Sequence, residues 1–226
     1  MSSSEKKPSA TRPGRPADEG KRAAIVNAAI DSFFDHGFAA TSIEQVAAQA
    51  NVSKVTVYSH FGDKRGLFTA AVETECERMR DSFAAPRMPS GTLRERLTVI
   101  GEAMLTFLSR PEMVRFERRI AAETEHEPAI GAAFLAAGPH RVKRAFAAFL
   151  EAMRAAGELE VEDAELAAEQ FASMCKGMGD LERRFGAPPD PGRDRERIAG
   201  AVEVFCRAYV PARCPPPATG DRGHPK

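Results

Sequence analysis

The sequence predicts an all-α protein, and three observations carry that expectation. Apolar residues recur at helical spacing between about residues 18 and 210, no run alternates apolar and polar as a half-buried strand would, and the periodic stretches break at proline and glycine. The breaks are Pro86 to Pro89, Pro111, Pro128, Gly138-Pro139, Gly157 and Gly186 to Pro189. Several place Pro at a helix start and Gly just past a helix end, the usual asymmetry of helix termini. At 226 residues and 43% hydrophobic, the chain is long enough to bury a core without disulfide or metal staples.

Residues 1–17 combine Ser, Lys, Arg, Gly and Pro with almost nothing apolar, so burial cannot offset the entropy of ordering them and a flexible basic arm is expected. A first helix follows at about 18–36. It places Ile25, Ala28, Ala29, Ser32 and Phe33 on one face, with Gly37 where a left-handed C-terminal residue is wanted. Thr41 with Glu44 three residues on reads as a capping box opening a short second helix, whose apolar face is Ile43, Val46, Ala47 and Ala50. Asn51 tolerates the left-handed backbone of a sharp turn, and Ser53 can cap a third helix over about 53–61 that ends at Gly62. Longer helices are expected at 64–84, 92–109, 111–124, 139–156, 163–185 and 193–209, with a short one at 128–137. The segment 211–226, rich in Pro and Gly, reads as a disordered tail.

Several function classes are excluded or disfavoured. No apolar run approaches the roughly 18 residues needed to cross a bilayer, and the N-terminal residues carry no apolar signal core, so a cytoplasmic protein is expected with no membrane partner. Cys76, Cys175, Cys206 and Cys214 show no metal-knuckle or disulfide spacing, and no cofactor or metal is expected. Glu123 and His126 stand three apart, too few ligands for a metal site by themselves. There is no G-x-S-x-G, P-loop or H-E-x-x-H, and no enzyme is expected. The formal net charge is zero, with a slight basic excess confined to residues 1–66.

Two short helices joined by a tight turn, behind a longer supporting helix, have the outline of a helix-turn-helix DNA reader. Spacing alone would favour a helical hairpin inside an α-bundle. The residues decide between them: with Val57 and Phe61 facing inward, the third helix leaves Lys54, Val55, Thr56, Tyr58, Ser59 and His60 for other faces, a set suited to phosphates and base edges. The runs GFAATSIEQVA at 37–47 and VSKVTVYSHFGDKRGLF at 52–68 resemble the DNA-binding domain of the TetR family of transcriptional regulators. Asn51 replaces the glycine usual in that family's turn, a mild departure. FERRI at 116–120, AGP at 137–139 and LAAEQF at 166–171 are similar to the C-terminal domain of the AefR-like branch.

The resemblance implies a three-helix DNA-binding domain over 18–66, a larger helical ligand-binding and dimerisation domain over 67–210, a homodimer, and repression relieved by a small molecule. It implies phosphate contacts from Tyr58 and Lys64 and base-edge positions for Lys54, Val55, Thr56 and His60. Thr41, Ser42 and Ser53 stand at helix N-termini, whose amides and hydroxyls can grip the backbone of double-stranded operator DNA. Arg12 and Arg15, on a Pro-stiffened segment, suit a narrow minor groove. A linker adding only non-specific attraction is the other reading of them.

For the effector, the apolar candidates are Phe83, Met104, Phe107, Phe116, Ile120, Phe134, Met174 and Met178, with Arg119 and Glu123 to orient a hydrophobic or aromatic molecule. For dimerisation, the last two long helices offer Phe171, Met174, Leu181, Val202 and Phe205, expected to form a four-helix bundle with the twin pair. Two other readings stay open: a helical small-molecule-binding or interaction protein with a vestigial reader, and a metal- or thiol-responsive DNA-binding sensor.

Overall fold

Residues 15–81 and 91–211 of the computed structural model are described. Arg12, Phe83, Cys214 and the tail lie outside the described residues. Among those described there are ten helices and no strand.

The first helix, α1 (Arg15–Ala40), is longer than the sequence suggests at both ends. Residues 15–17, expected in the arm, are helical instead. Pro16 fits a first turn because the N–H it lacks would find no partner there, and Asp18 in that turn complements the helix dipole. Near its far end α1 breaks at Gly37 (φ 85°, ψ −179°), a conformation that costs glycine little, and a last short piece runs to Ala40. The reader continues with α2 (Ile43–Gln49) and α3 (Lys54–Phe61), joined through Asn51 at φ 54°. Next come α4 (Lys64–Asp81), α5 (Leu93–Leu108), α6 (Pro111–Thr124), α7 (Pro128–Ala137) and α8 (Pro139–Ala155). The last pair is α9 (Ala164–Arg184), broken at Gly177, and α10 (Pro191–Tyr209).

Two cores organise the helices. One gathers Ile25, Phe33, Val46, Val57, Phe68, Phe116, Ile120 and Ile130, so α1 to α4 share their interior with α6 and α7. The other joins Leu97 of α5 and Leu150 of α8 to Phe171, Val202 and Phe205 of α9 and α10. Each fully buried aliphatic or aromatic side chain contributes about 1.5–3 kcal/mol relative to exposure, so these clusters hold the bundle together. A capping box does form, at Thr92 and Glu95 before α5, with Glu95 accepting from the Thr92 N–H at 2.7 Å. None of the helices described is long and apolar enough to cross a membrane.

Candidate nucleic-acid interface and ligand chamber

The turn between α2 and α3 rests on local chemistry. Ser42 caps α2, accepting from the Gln45 N–H at 3.1 Å, and Ser53 caps α3, accepting from the Thr56 N–H at 3.1 Å. Val57 pins α3 to the core, and Phe61 lies half-buried under the Arg22 guanidinium, 5.3 Å from its ring centre. The outward face then carries Lys54, Val55, Tyr58 and Ser59, with Val55 76% exposed. An apolar side chain this open contributes little burial to the fold. Thr56 is half-buried, its hydroxyl 2.8 Å from that of Ser53. Lys54 pairs with Glu44 across the turn, an interaction that raises the lysine pKa and lowers the glutamate's, and its ammonium stands 5.7 Å from the Tyr58 ring centre.

Two expected DNA-facing residues are turned elsewhere. Thr41 is only 2% exposed and neither caps α2 nor reaches solvent. Its hydroxyl donates to the Gly37 carbonyl at 2.7 Å and accepts from Ser32 at 3.3 Å, satisfying polar groups that the break in α1 leaves buried. His60 keeps 15% of its side-chain surface, with Nε2 3.2 Å from Asp18 Oδ1, so it ties α3 to α1 rather than facing a base. Lys64 is half-buried: Nζ donates to the Ala39 carbonyl at 3.0 Å and lies 4.7 Å from the Phe38 ring centre. Desolvation lowers its pKa, opposed by the Glu123 and Glu127 carboxylates. Sequence reasoning missed the Glu44 to Lys54 pair, because ten residues and a turn separate them.

Behind the reader, α4 to α9 and Phe34 of α1 enclose a chamber of about 750 Å³. Met104, Phe107, Phe116, Ile120 and Phe134 line it. Phe34 stacks on Phe116 with centroids 4.2 Å apart and planes at 4°, and Phe134 meets Phe116 edge-on at 5.7 Å. Four expected lining residues are absent. Arg119 and Glu123 face α1, Met178 is largely exposed on α9, and Met174 packs against the second core.

The wall also carries polar groups that sequence patterning did not single out. Glu75 is buried with both carboxylate oxygens taken up, by Arg78 at 2.6 Å and Arg110 at 2.8 Å, and Arg78 also reaches Asn27 of α1 at 2.5 Å. Glu117 and Asp180 share Arg184, at 3.2 and 3.1 Å. Desolvation raises the Glu117 pKa above its usual range despite the arginine. Glu75 sits in a run of charged residues that reads as solvated, and only packing of Val72 and Met79 beside it reveals the buried face. Burial pushes the Cys76 thiol up to about 11 and the Cys175 thiol up to about 12, so both stay protonated and unreactive near neutral pH.

Residues 25–71 match the family model described as bacterial regulatory proteins, tetR family, and residues 95–211 match that of the AefR-like transcriptional repressor, C-terminal domain. The chain belongs to the TetR family of transcriptional regulators. Among solved structures, it is similar to the flavonoid-responsive regulator FrrA, with 32% identity, a TM-score of 0.68, and coverage of 84% of this chain and 97% of that one. A putative TetR-family regulator from Mesorhizobium loti gives a TM-score of 0.72 at 25% identity, covering 85% and 98%. The transcriptional activator FasR of Mycolicibacterium smegmatis is 30% identical over 93 residues, 41% of this chain and 42% of FasR. The chain thus spans less than half the length of the first curated relatives that it matches.

In this TetR-family chain, α9 and α10 turn most of the residues expected at a dimer contact inward. Phe171, Val202 and Phe205 lie inside the protomer, each at most 1% exposed, because α5 and α8 cover the side that the sequence offers to a partner. Met174 is half-buried against the same core. The large apolar groups left outside on α9 are Leu166, Met178 and Leu181, followed by Phe185 at 85% exposure, with Val204 on α10.

Proposed function

We propose that this protein is a homodimeric, DNA-binding repressor that works in the cytoplasm and is released from a near-palindromic operator by a small apolar, ring-bearing molecule. The observation that carries the DNA-binding half is the α3 face: Val57 fixes the helix while Lys54, Val55 and Tyr58 stand outward. Lys can reach guanine acceptors, Val a thymine methyl, and the Tyr58 hydroxyl a phosphate. Ser42, Ser53, Thr56 and Lys64 are proposed as flanking contacts, with Arg15, the first residue of α1, proposed as a further DNA contact. A two-fold dimer would set the two α3 helices about 34–36 Å apart, one turn of duplex.

The chamber supports the effector half. Its volume suits a molecule of drug size, and its phenylalanine rings favour a flat aromatic body, with Glu117 and Asp180 available to accept hydrogen bonds. FrrA, named as flavonoid-responsive, makes a polyphenol the first class to try. The proposed domain division remains 18–66 for the reader and 67–210 for ligand binding and dimerisation. For the two-fold contact we propose Met178, Leu181 and Phe185.

The deciding experiment is selection of randomised duplex DNA on the purified protein, followed by affinity against salt. Enrichment of an inverted repeat, with release by a flavonoid panel, is the expected result. Weak, sequence-blind binding with no enrichment would sink the regulator reading in favour of a binding protein whose reader is vestigial.

A further inference from the structure

Two charged side chains of α6 hold the backbone where α1 breaks. Glu123 Oε2 accepts from the Phe38 and Ala39 N–H groups, both at 3.1 Å, and Arg119, one turn earlier, donates to the Phe34 carbonyl at 2.7 Å. Together they bracket Gly37: the arginine takes a carbonyl before the break, the glutamate the N–H groups after it. Gly37 has φ +85°, and a Cβ there would run into the Glu123 carboxylate, so the absence of a side chain is what lets the carboxylate dock. From this clamp the chain passes through buried Thr41 to Ser42, the cap of α2. Lys64 holds the same segment from α4 through the Ala39 carbonyl.

The adjoining face of α6 belongs to the chamber. Phe116, Glu117, Ile120 and Thr124 form part of its wall, and Phe116 is three residues from Arg119 as Ile120 is from Glu123. Residues three apart are neighbours on a helix surface, so the wall and the clamp move as one stiff element.

We propose that Glu123 is the positioning residue that ties the pose of the helix-turn-helix to α6, so that a molecule displacing the α6 wall of the chamber displaces α2 and α3. The signal rests on the ligand-responsive reading above, whereas the clamp does not. Charge-assisted bonds to two backbone N–H groups give one carboxylate hold of both residues following the break.

The test uses the full chain and the operator enriched by selection. Affinities of the parent, Glu123→Gln and Glu123→Ala are measured on duplexes with the selected half-site spacing and with the spacer one base pair longer or shorter. Each is repeated with quercetin, a flavonoid probe whose own binding is read by fluorescence quenching. Glu123→Ala is expected to lose about tenfold on the selected spacing, to discriminate little between spacers, to bind the probe as the parent does, and to be no longer released by it. Glu123→Gln keeps an acceptor oxygen and should retain both the spacing preference and the release. If the alanine variant does not fold, Glu123→Asp, too short to reach both N–H groups, takes its place.

A folded alanine variant with the parent's spacing profile and release overturns the proposal, as do equal losses in the alanine and glutamine variants. Quercetin that fails to release the parent removes support for the release reading, while the spacer series still decides on Glu123. A parent that enriches no operator removes both.

Discussion

Thr41 and Thr92 each stand three residues before a glutamate, and only Thr92 forms the capping box. The pattern is local, but its outcome depends on what else needs the hydroxyl. At Thr92 the surroundings are solvent, whereas at Thr41 the broken end of α1 presents the Gly37 carbonyl inside the core. Thr41→Val is therefore expected to cost about 1–3 kcal/mol of stability by leaving that carbonyl unpaired, read by urea denaturation, without altering operator preference. Val55→Ser should do the reverse: stability stays within about 0.5 kcal/mol, and preference shifts by about 1–3 kcal/mol for each base it touches.

Glu117 offers a pH test. Burial raises its folded pKa above the ordinary carboxylate value of 4.5, so its contribution to stability is present below that value and lost as pH rises through the folded pKa. Glu117→Gln should melt higher than the parent at neutral pH, with the gain shrinking as the pH falls toward 4.5. A gain independent of pH would mean that the charged carboxylate is not what costs stability there.

At the scale of elements, punctuation by proline and glycine set most boundaries. The expected spans 111–124 and 128–137 coincide with α6 and α7, because Pro111 and Pro128 each open a helix whose first N–H groups have no partner anyway. The break inside α9 was less visible. Gly177 adopts φ 48°, and Arg197 of α10 fills the space above Gly179 where a Cβ would sit, on its way to Asp194 at 2.9 Å. Asp194 is also held by Arg183, both of its oxygens lying 3.1 Å from one guanidinium nitrogen. Gly179→Ala must push Arg197 off this buried carboxylate and is expected to cost about 1–3 kcal/mol. Gly200→Ala, on an open face of α10, should gain about 0.5–1 kcal/mol. Urea midpoints at constant m-value compare the two, and a destabilised Gly200→Ala would show that the open face is covered in solution.

For the whole molecule, the proposed homodimer needs an apolar face that the fold leaves uncovered. Phe205 has no exposed surface, so Phe205→Ala should cost about 3–5 kcal/mol at any protein concentration. Leu181→Glu, by contrast, should leave the folded protomer intact and shift sedimentation from dimer to monomer. A Leu181→Glu protein that sediments as the parent does would move the proposed two-fold contact elsewhere.

Features that depend on near neighbours along the chain were legible from the residues alone: helical periodicity, Pro and Gly breaks, the Asn51 turn, the cap at Ser53 and a motif read in order, whereas the cap of α2 was expected at Thr41 and is Ser42. Which side of each helix finds a partner is visible only once the helices are packed. Phe171, Val202 and Phe205 went inward because α5 and α8 cover them. Glu123 and Arg119 turned from the chamber to a break in α1 more than eighty residues away. An amphipathic stripe states that a face will be buried, and a lone charge that it needs a partner. Neither names the partner, because that is settled by the packing of elements distant in sequence.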